Sequence, residues 1–233
     1  ELGYHLVLNC CGINYFIFCY KQHLTMWLLD CGLDSVEWRR VIVVYSSALA
    51  PLILAAYLIY KKQMKKWIAF TLLTSFLIAA FGWELWVNYG ILNGDEVTLR
   101  RSEALSCAIP LHINWLVNSL ADTGIVWFAI ILVYWLFPKK AENYQKLSFL
   151  FFTVFFVWFM GQNFIVETII YHNQVGGDAL LSWAPLMPLG SFFNPTLMAF
   201  GEREITLQSQ SAWLIGTLLF YFISIYFYKK HGR

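Results

Sequence analysis

Apolar residues fall in long unbroken runs along this chain, separated by short polar connections. Six runs approach the length of a membrane crossing: Tyr4 to Tyr20, Val41 to Tyr60, Trp67 to Ile91, His112 to Phe137, Leu147 to Tyr171 and Ala212 to Tyr228. About 20 apolar residues cross a ~30 Å hydrocarbon core as a helix. Strands of a membrane barrel would alternate polar and apolar positions instead. The pattern predicts an all-α fold, a polytopic integral membrane bundle of about six transmembrane helices forming a single transmembrane domain over 1–233. The first run is short and contains Asn9, Gly12 and Asn14, so an interfacial or tilted helix is its alternative reading.

Two connections carry structure of their own in this reading. Residues 21–40, with Leu24, Met26, Trp27, Leu28 and Leu29, suit a short amphipathic helix at the interface. The 173–210 segment is apolar in its middle, but Pro185, Pro188, Gly190 and Pro195 interrupt any span. Irregular backbone at membrane depth needs protein or a wet cavity around it, so this segment is expected to be a re-entrant cover or a surface lid.

Composition agrees with the pattern. The 233 residues are 59% hydrophobic, 19% aromatic and only 13% charged, with a mean hydropathy of +0.58. A soluble domain carries about 25% charged residues, and a disordered chain is poor in aromatic and apolar residues. Both classes are excluded. The net charge of +2 is spread over connections without a basic face, so no nucleic-acid partner is expected.

The signs of the connections set a topology. Lys61, Lys62, Lys65 and Lys66, then Lys139, Lys140 and Lys146, then Lys229, Lys230 and Arg233 make ten of the sixteen basic residues, all in alternate connections. The remaining connections hold nine acids, among them Asp30, Asp95, Glu103 and Glu202, beside Arg39, Arg40, Arg100 and Arg101. Basic loops stay on the cytosolic side. Both termini are therefore expected to be cytoplasmic, in a bacterial inner membrane or a eukaryotic endomembrane, with the Arg39–Arg40 pair as the discordant feature. Cys31 and Cys107 then share the outer side, where an oxidising compartment permits a disulfide.

The informative residues are acids within spans. Of fourteen acids, Glu84, Asp122 and Glu167 lie inside apolar runs, and no Lys or Arg does. An ionised acid at the centre of a span costs at least ~2.5 kcal/mol, which marks a functional site by default. Counted at ~1.5 Å per residue from the lysine-rich ends, Glu84 stands about 26 Å up, Asp122 about 22 Å and Glu167 about 30 Å. Asn114, Asn118 and Asp122 recur at four-residue intervals, as do Glu84 with Asn88 and Asn163 with Glu167, so each set shares a helix face. Gln162 and His112 add donors and acceptors, and Trp83, Trp86, Trp115, Trp158 and Trp183 supply walls. The expected picture is an outer-leaflet cavity, polar below and aromatic around.

A carboxyl buried without a fixed cation keeps its proton more readily. Paired with a second carboxylate or His112, it provides a general acid and a general base. Asp122, Glu84 and Glu167 are thus the candidate catalytic acids, with Asn114, Asn118, Gln162, Asn163, Asn88, His112, Trp83 and Trp115 as substrate-binding candidates. Protonating an alkene or epoxide and holding the cation against Trp faces suits an isoprenoid cyclase or isomerase. The Trp83–Glu84 pair inside a span of a small multi-helix protein resembles the integral-membrane terpene cyclases over about one helix. The second intramembrane acid of that family has no counterpart in the final span, which contains no acid.

Other classes stay open. Asn and Gln at helical spacing also act as interhelical glue worth ~0.6 kcal/mol each, and surface Trp forms the usual aromatic belt. Membrane acids also serve proton-coupled transporters or channels, and a non-catalytic subunit of a larger membrane complex would use its polar residues on neighbouring subunits. No HxxxH, HxxH or ExxH pairing points to a metal, and no cofactor is called for. The expected partners are membrane lipids, a hydrophobic small molecule and other membrane subunits. An enzyme should show a closed cavity holding Asp122 and Glu84, and a transporter a wet path reaching both sides.

Overall fold

A computed structural model of the chain describes residues 30–90, 96–141, 144–170, 189–200 and 203–232. In chain order these form α1 (Ser35–Tyr60), α2 (Lys66–Phe81), α3 (Trp83–Tyr89), a 3₁₀ turn (Val97–Arg100), α4 (Glu103–Ala108), α5 (Leu111–Leu136), α6 (Pro138–Ala141) and α7 (Phe149–Ile165). A π turn (Val166–Ile170), strands β1 (Thr196–Phe200) and β2 (Arg203–Thr206), and α8 (Leu207–His231) complete them. Among the described residues four helices are long and apolar enough to cross a membrane, and the bent pair α2–α3 makes a fifth. The Tyr4–Tyr20 run, the Leu24–Leu29 stretch and residues 173–188 lie outside the described residues.

Local chemistry explains where the helices start. Asp34 caps α1 by accepting the Val36 and Glu37 amides at 2.7 Å each, and Glu37 accepts the Asp34 amide at 3.0 Å. This reciprocal cap starts the helix at Ser35, so Arg39 and Arg40 belong to the first turns of a helix long and apolar enough to span a membrane and not to a separate connection. Pro110 immediately precedes α5, and the Thr206 hydroxyl caps α8 through Ser209.

The described part of the 173–210 connection is a hairpin, a small departure from the all-α expectation. Strand β1 pairs antiparallel with β2, and the Asn194 side chain accepts the Gln208 amide at 3.1 Å, which seats the hairpin on the first turn of α8. Pro195 before the hairpin and the β-branched Thr196, Ile205 and Thr206 within it favour extended backbone over helix.

The three lysine-rich connections share one end of the bundle. Lys65 Nζ lies 5.7 Å from the centre of the Tyr134 ring, and Trp67 packs on Tyr144 at 5.3 Å and on Tyr228 at 5.1 Å. Trp67, Tyr144, Phe155 and Phe159 are fully buried, so this half of the molecule is a packed aromatic core. The Tyr144 hydroxyl is matched by Ser224 Oγ at 2.9 Å. Small residues let the helices approach: Ala79, Ala80 and Ala129 are fully buried. Thr71, Ser75 and Thr217 return their hydroxyl bonds to carbonyls one turn back within their own helices. Close approach of this kind is how helices associate where no hydrophobic effect drives them together.

The opposite end is clipped together. Cys31 and Cys107 form a disulfide, Ser102 Oγ donates to Glu37, and Tyr45 OH donates to the Ala108 carbonyl at 3.0 Å. Leu105, Ala108 and Ile109 bury against Val41, Ala48 and Val117. The segment from Val97 to Ile109 is thereby held over the ends of α1 and α5.

Gly82 separates α2 from α3, which meet at 40°. A Cβ on Gly82 would stand 2.4 Å from the Ile78 carbonyl oxygen, so only glycine fits this break, and the break turns Trp83 and Glu84 inward. We expect Gly82→Ala to lower stability by about 1–3 kcal/mol, the usual cost of overpacking. A drop in the thermal midpoint of the detergent-solubilised protein checks it.

Candidate functional site

The cavity lies at the disulfide end, has a volume of about 530 Å³ and is walled by α1, α5, α7, α3 and the start of α8. Ligand pockets run from about 300 to 1,000 Å³. Glu84, Asp122 and Glu167 all line it, from three different helical segments. Asn114, Asn118, Gln162, Asn163 and Trp83 line it too.

Each acid is held differently. Glu84 is 5% exposed and accepts Asn88 Nδ2 on Oε2 at 2.7 Å, while the same amide nitrogen donates to the Glu84 carbonyl at 2.8 Å. Asn118, Asp122 and Arg100 line the same cavity. Asp122 is only half-buried and accepts the Trp83 indole N–H at 2.7 Å, a bond that fixes its carboxyl and the indole together. The Trp83 ring is backed by Trp213 at 5.8 Å and Phe220 at 6.1 Å. Glu167 is 3% exposed and sits in the π turn that ends α7, a distortion that re-aims side chains and recurs at functional sites.

The supporting amides fall into two groups. Asn163 Nδ2 donates to the Ser209 carbonyl at 3.2 Å and to Gln210 Oε1 at 3.0 Å, tying α7 to α8, and Gln162 donates to the Phe159 carbonyl at 3.0 Å. Asn88, fully buried, stands behind Glu84 and accepts Asn114 Nδ2 at 2.6 Å. It therefore orients Glu84 and does not line the cavity.

Two sequence candidates are not in the site. His112 is exposed and its Nδ1 meets Tyr89 OH at 2.9 Å. Trp115 donates its indole N–H to the Ala80 carbonyl at 2.8 Å and packs on Phe81 at 6.2 Å. At about 100° per residue His112 lies about 120° around α5 from the middle of the Asn114–Asn118–Asp122 row, whereas Trp115 flanks that row beside Asp122 and is kept out of the cavity lining by its bond to Ala80.

The structure adds cations that the sequence reading placed in loops. Arg40, Arg100 and Arg101 are 7%, 7% and 8% exposed and line the cavity. Arg40 lies inside α1, which corrects the expectation that no Lys or Arg falls within a span. Arg101 donates to Asn114 Oδ1 at 3.0 Å, to Ser106 Oγ at 3.2 Å and to the Ile109 carbonyl. Arg100 donates to the Val87 carbonyl and stacks on the Trp86 ring at 5.9 Å. The available signal was the discordance itself: arginines on the acidic side of the topology are there because the fold draws them inward. Among the described residues no group of three or more His, Cys, Asp or Glu side chains is arranged to hold a metal ion.

The rest of the wall is apolar. Val44, Pro51 and Leu54 of α1 face Ile125, Phe128 and Ile131 of α5, with Trp158 of α7 beside them. A Cβ on Gly124 would stand 2.9 Å from Pro51 Cγ, so α1 and α5 touch closely along this wall. From Asn114 to Ile131 the cavity follows α5 for about 26 Å at ~1.5 Å per residue. It is polar at one end and apolar along its length. Comparison with family models, with curated proteins and with solved structures finds no match to this chain, so its function is read from this cavity alone.

Proposed function

We propose that this protein is an integral membrane enzyme that performs acid/base chemistry on an elongated lipophilic substrate of the isoprenoid or lipid class. The observation that carries the reading is one cavity with Glu84, Asp122 and Trp83 at its polar end and an apolar wall from Val44 to Ile131 along its length. The apolar wall takes the hydrocarbon. The carboxyls meet the reacting group.

Glu84 and Asp122 line one cavity, and two carboxyls of which one is protonated supply an acid and a base in one place. The protonated member gives its proton to an epoxide oxygen or an alkene carbon. The electron pair of that O–H bond stays on the carboxylate, and a carbocation forms on the substrate. The Trp83 ring lies at the same end and attracts the cation through its face. The second carboxylate removes a proton from the neighbouring carbon, so substrate and product have the same mass. The aromatic core around Trp67 and Tyr144 fills the lysine-rich end of the bundle, which favours a site closed at that end over a path between two compartments.

In this proposal the lysine-rich end is cytosolic by the charge rule, and the cavity opens toward the outer leaflet. The test is direct. The purified protein in lipid nanodiscs is incubated with a farnesyl or geranylgeranyl chain bearing a terminal epoxide, and products are separated and weighed by mass spectrometry. A product of unchanged mass and altered retention supports the reading. Unchanged probes, together with a cavity that retains no lipophilic molecule on purification, overturn it.

A further inference from the structure

The hydrogen bonds behind Glu84 have a direction, fixed at one end by Arg101 and reinforced at Asn88 by the Glu84 carbonyl, which accepts the same amide nitrogen at 2.8 Å. Arg101 has donors only, so the oxygen of Asn114 must face its Nη1, as it does at 3.0 Å. The Asn114 amide nitrogen is then committed to donating, and it meets Asn88 Oδ1 at 2.6 Å. Asn88 must in turn present its nitrogen to Glu84, where it donates to Oε2 at 2.7 Å. An isolated asparagine can flip its oxygen and nitrogen, but a chain anchored on a guanidinium cannot flip without setting an acceptor against an acceptor. Asn88 and Asn114 are both buried, so water does not offer a substitute partner, and a mismatch there carries the full desolvation cost.

We propose that Arg101 is a positioning residue for Glu84, acting through Asn114 and Asn88 to make Oε2 the carbonyl-type oxygen and to place the transferable proton on Oε1. The carbonyl oxygen of a carboxylic acid is its stronger acceptor, so a permanent N–H donor on Oε2 directs the hydroxyl to the other oxygen. When Oε1–H gives up its proton, the electron pair remains on the carboxylate, and the Asn88 donor is already in place to hold the charge. Preorganised donors of this kind need no rearrangement at the moment of transfer. The disulfide-clipped segment that carries Arg101 thus has a reason to sit over the bundle end. This inference rests on the reading of Glu84 as an acid.

The deciding variant is Asn114→Asp, which keeps an acceptor for Arg101 and the shape of the side chain but removes the donor to Asn88. A merely structural role for Arg101 is satisfied by it. The relay is broken by it. The readout is the infrared carboxyl band of Glu84, identified by its loss in Glu84→Gln, together with conversion of the isoprenoid epoxide. We expect Asn114→Asp to shift the Glu84 band and to lower kcat at least tenfold with little change in KM. Arg101→Lys, still a pure donor, should leave the band in place, and Arg101→Gln, which donates and accepts, should broaden or shift it. A Glu84 band unmoved by Asn114→Asp overturns the relay. If Asn114→Asp does not fold, the Arg101→Lys and Arg101→Gln pair decides, and equal bands in the two overturn it. A band that moves in a protein whose conversion is unaffected by Glu84→Gln supports the relay and sinks the catalytic reading on its own.

Discussion

Replacing Asp122 by Asn, or Glu84 by Gln, is expected to reduce conversion of the isoprenoid epoxide by about 10²- to 10⁴-fold, the span attributed to general acid or base groups. Both substitutions keep the size of the side chain. At Asp122 the acceptor for the Trp83 indole, 2.7 Å away, survives in the amide oxygen, so the ring and the wall stay where they are. At Glu84 the amide oxygen still accepts from Asn88. What is lost is the proton, and with it the partner acid or base. The check is paired: turnover by mass spectrometry, and thermal unfolding of the same samples. Turnover should fall while the unfolding midpoint moves by little. A parallel fall in both would assign these carboxyls to structure, as the glue that polar residues also provide between membrane helices.

Removing the disulfide is expected to produce the largest loss of stability. Cys31 and Cys107 are 76 residues apart in sequence, and cross-linking a long loop mainly restricts the unfolded chain, so its loss costs about 2–5 kcal/mol. Cys31→Ser with Cys107→Ser, or reduction of the intact protein, should therefore lower the unfolding midpoint. A second effect follows from position. The bridge, the Ser102–Glu37 bond and the Tyr45–Ala108 bond hold the segment that carries Arg100 and Arg101, so the reduced protein should also lose turnover under conditions where it remains folded. Unchanged stability after both replacements would show that packing of Leu105, Ala108 and Ile109 suffices to hold this segment.

The helices and their order were readable because a membrane span is a one-dimensional signal. Continuous apolarity over Val41–Tyr60 or His112–Phe137 needs no knowledge of neighbours, and the structure places α1 over the first run, starting earlier at Ser35, and α5 over the second, displaced by one residue. The four-residue rhythm of Asn114, Asn118 and Asp122 was equally local. It reports a shared face of one helix, and that face lines the cavity.

His112 and Trp115 show the limit. They sit beside the right residues in sequence, but His112 is exposed and Trp115 is tied to the Ala80 carbonyl. Arg40, Arg100 and Arg101 show it more plainly. Their burial depends on a disulfide, a capped helix start and a turn from Val97 to Arg100, none of which changes what a loop arginine looks like in a linear reading. The hairpin from Thr196 to Thr206 was hidden in the same way, since proline punctuation announces an interruption without saying what replaces the helix.

The amino-acid order alone thus determined a helical protein whose helices are apolar enough to cross a membrane and carry acids within them, because the transfer free energy of each segment is set by its own residues. Tertiary structure alone decided that Glu84 and Asp122 share a cavity with Trp83, that Asn88 serves from behind, and that arginines complete the site. Those facts depend on the rotation of each helix about its axis and on the break at Gly82, which arise only when the helices pack against one another.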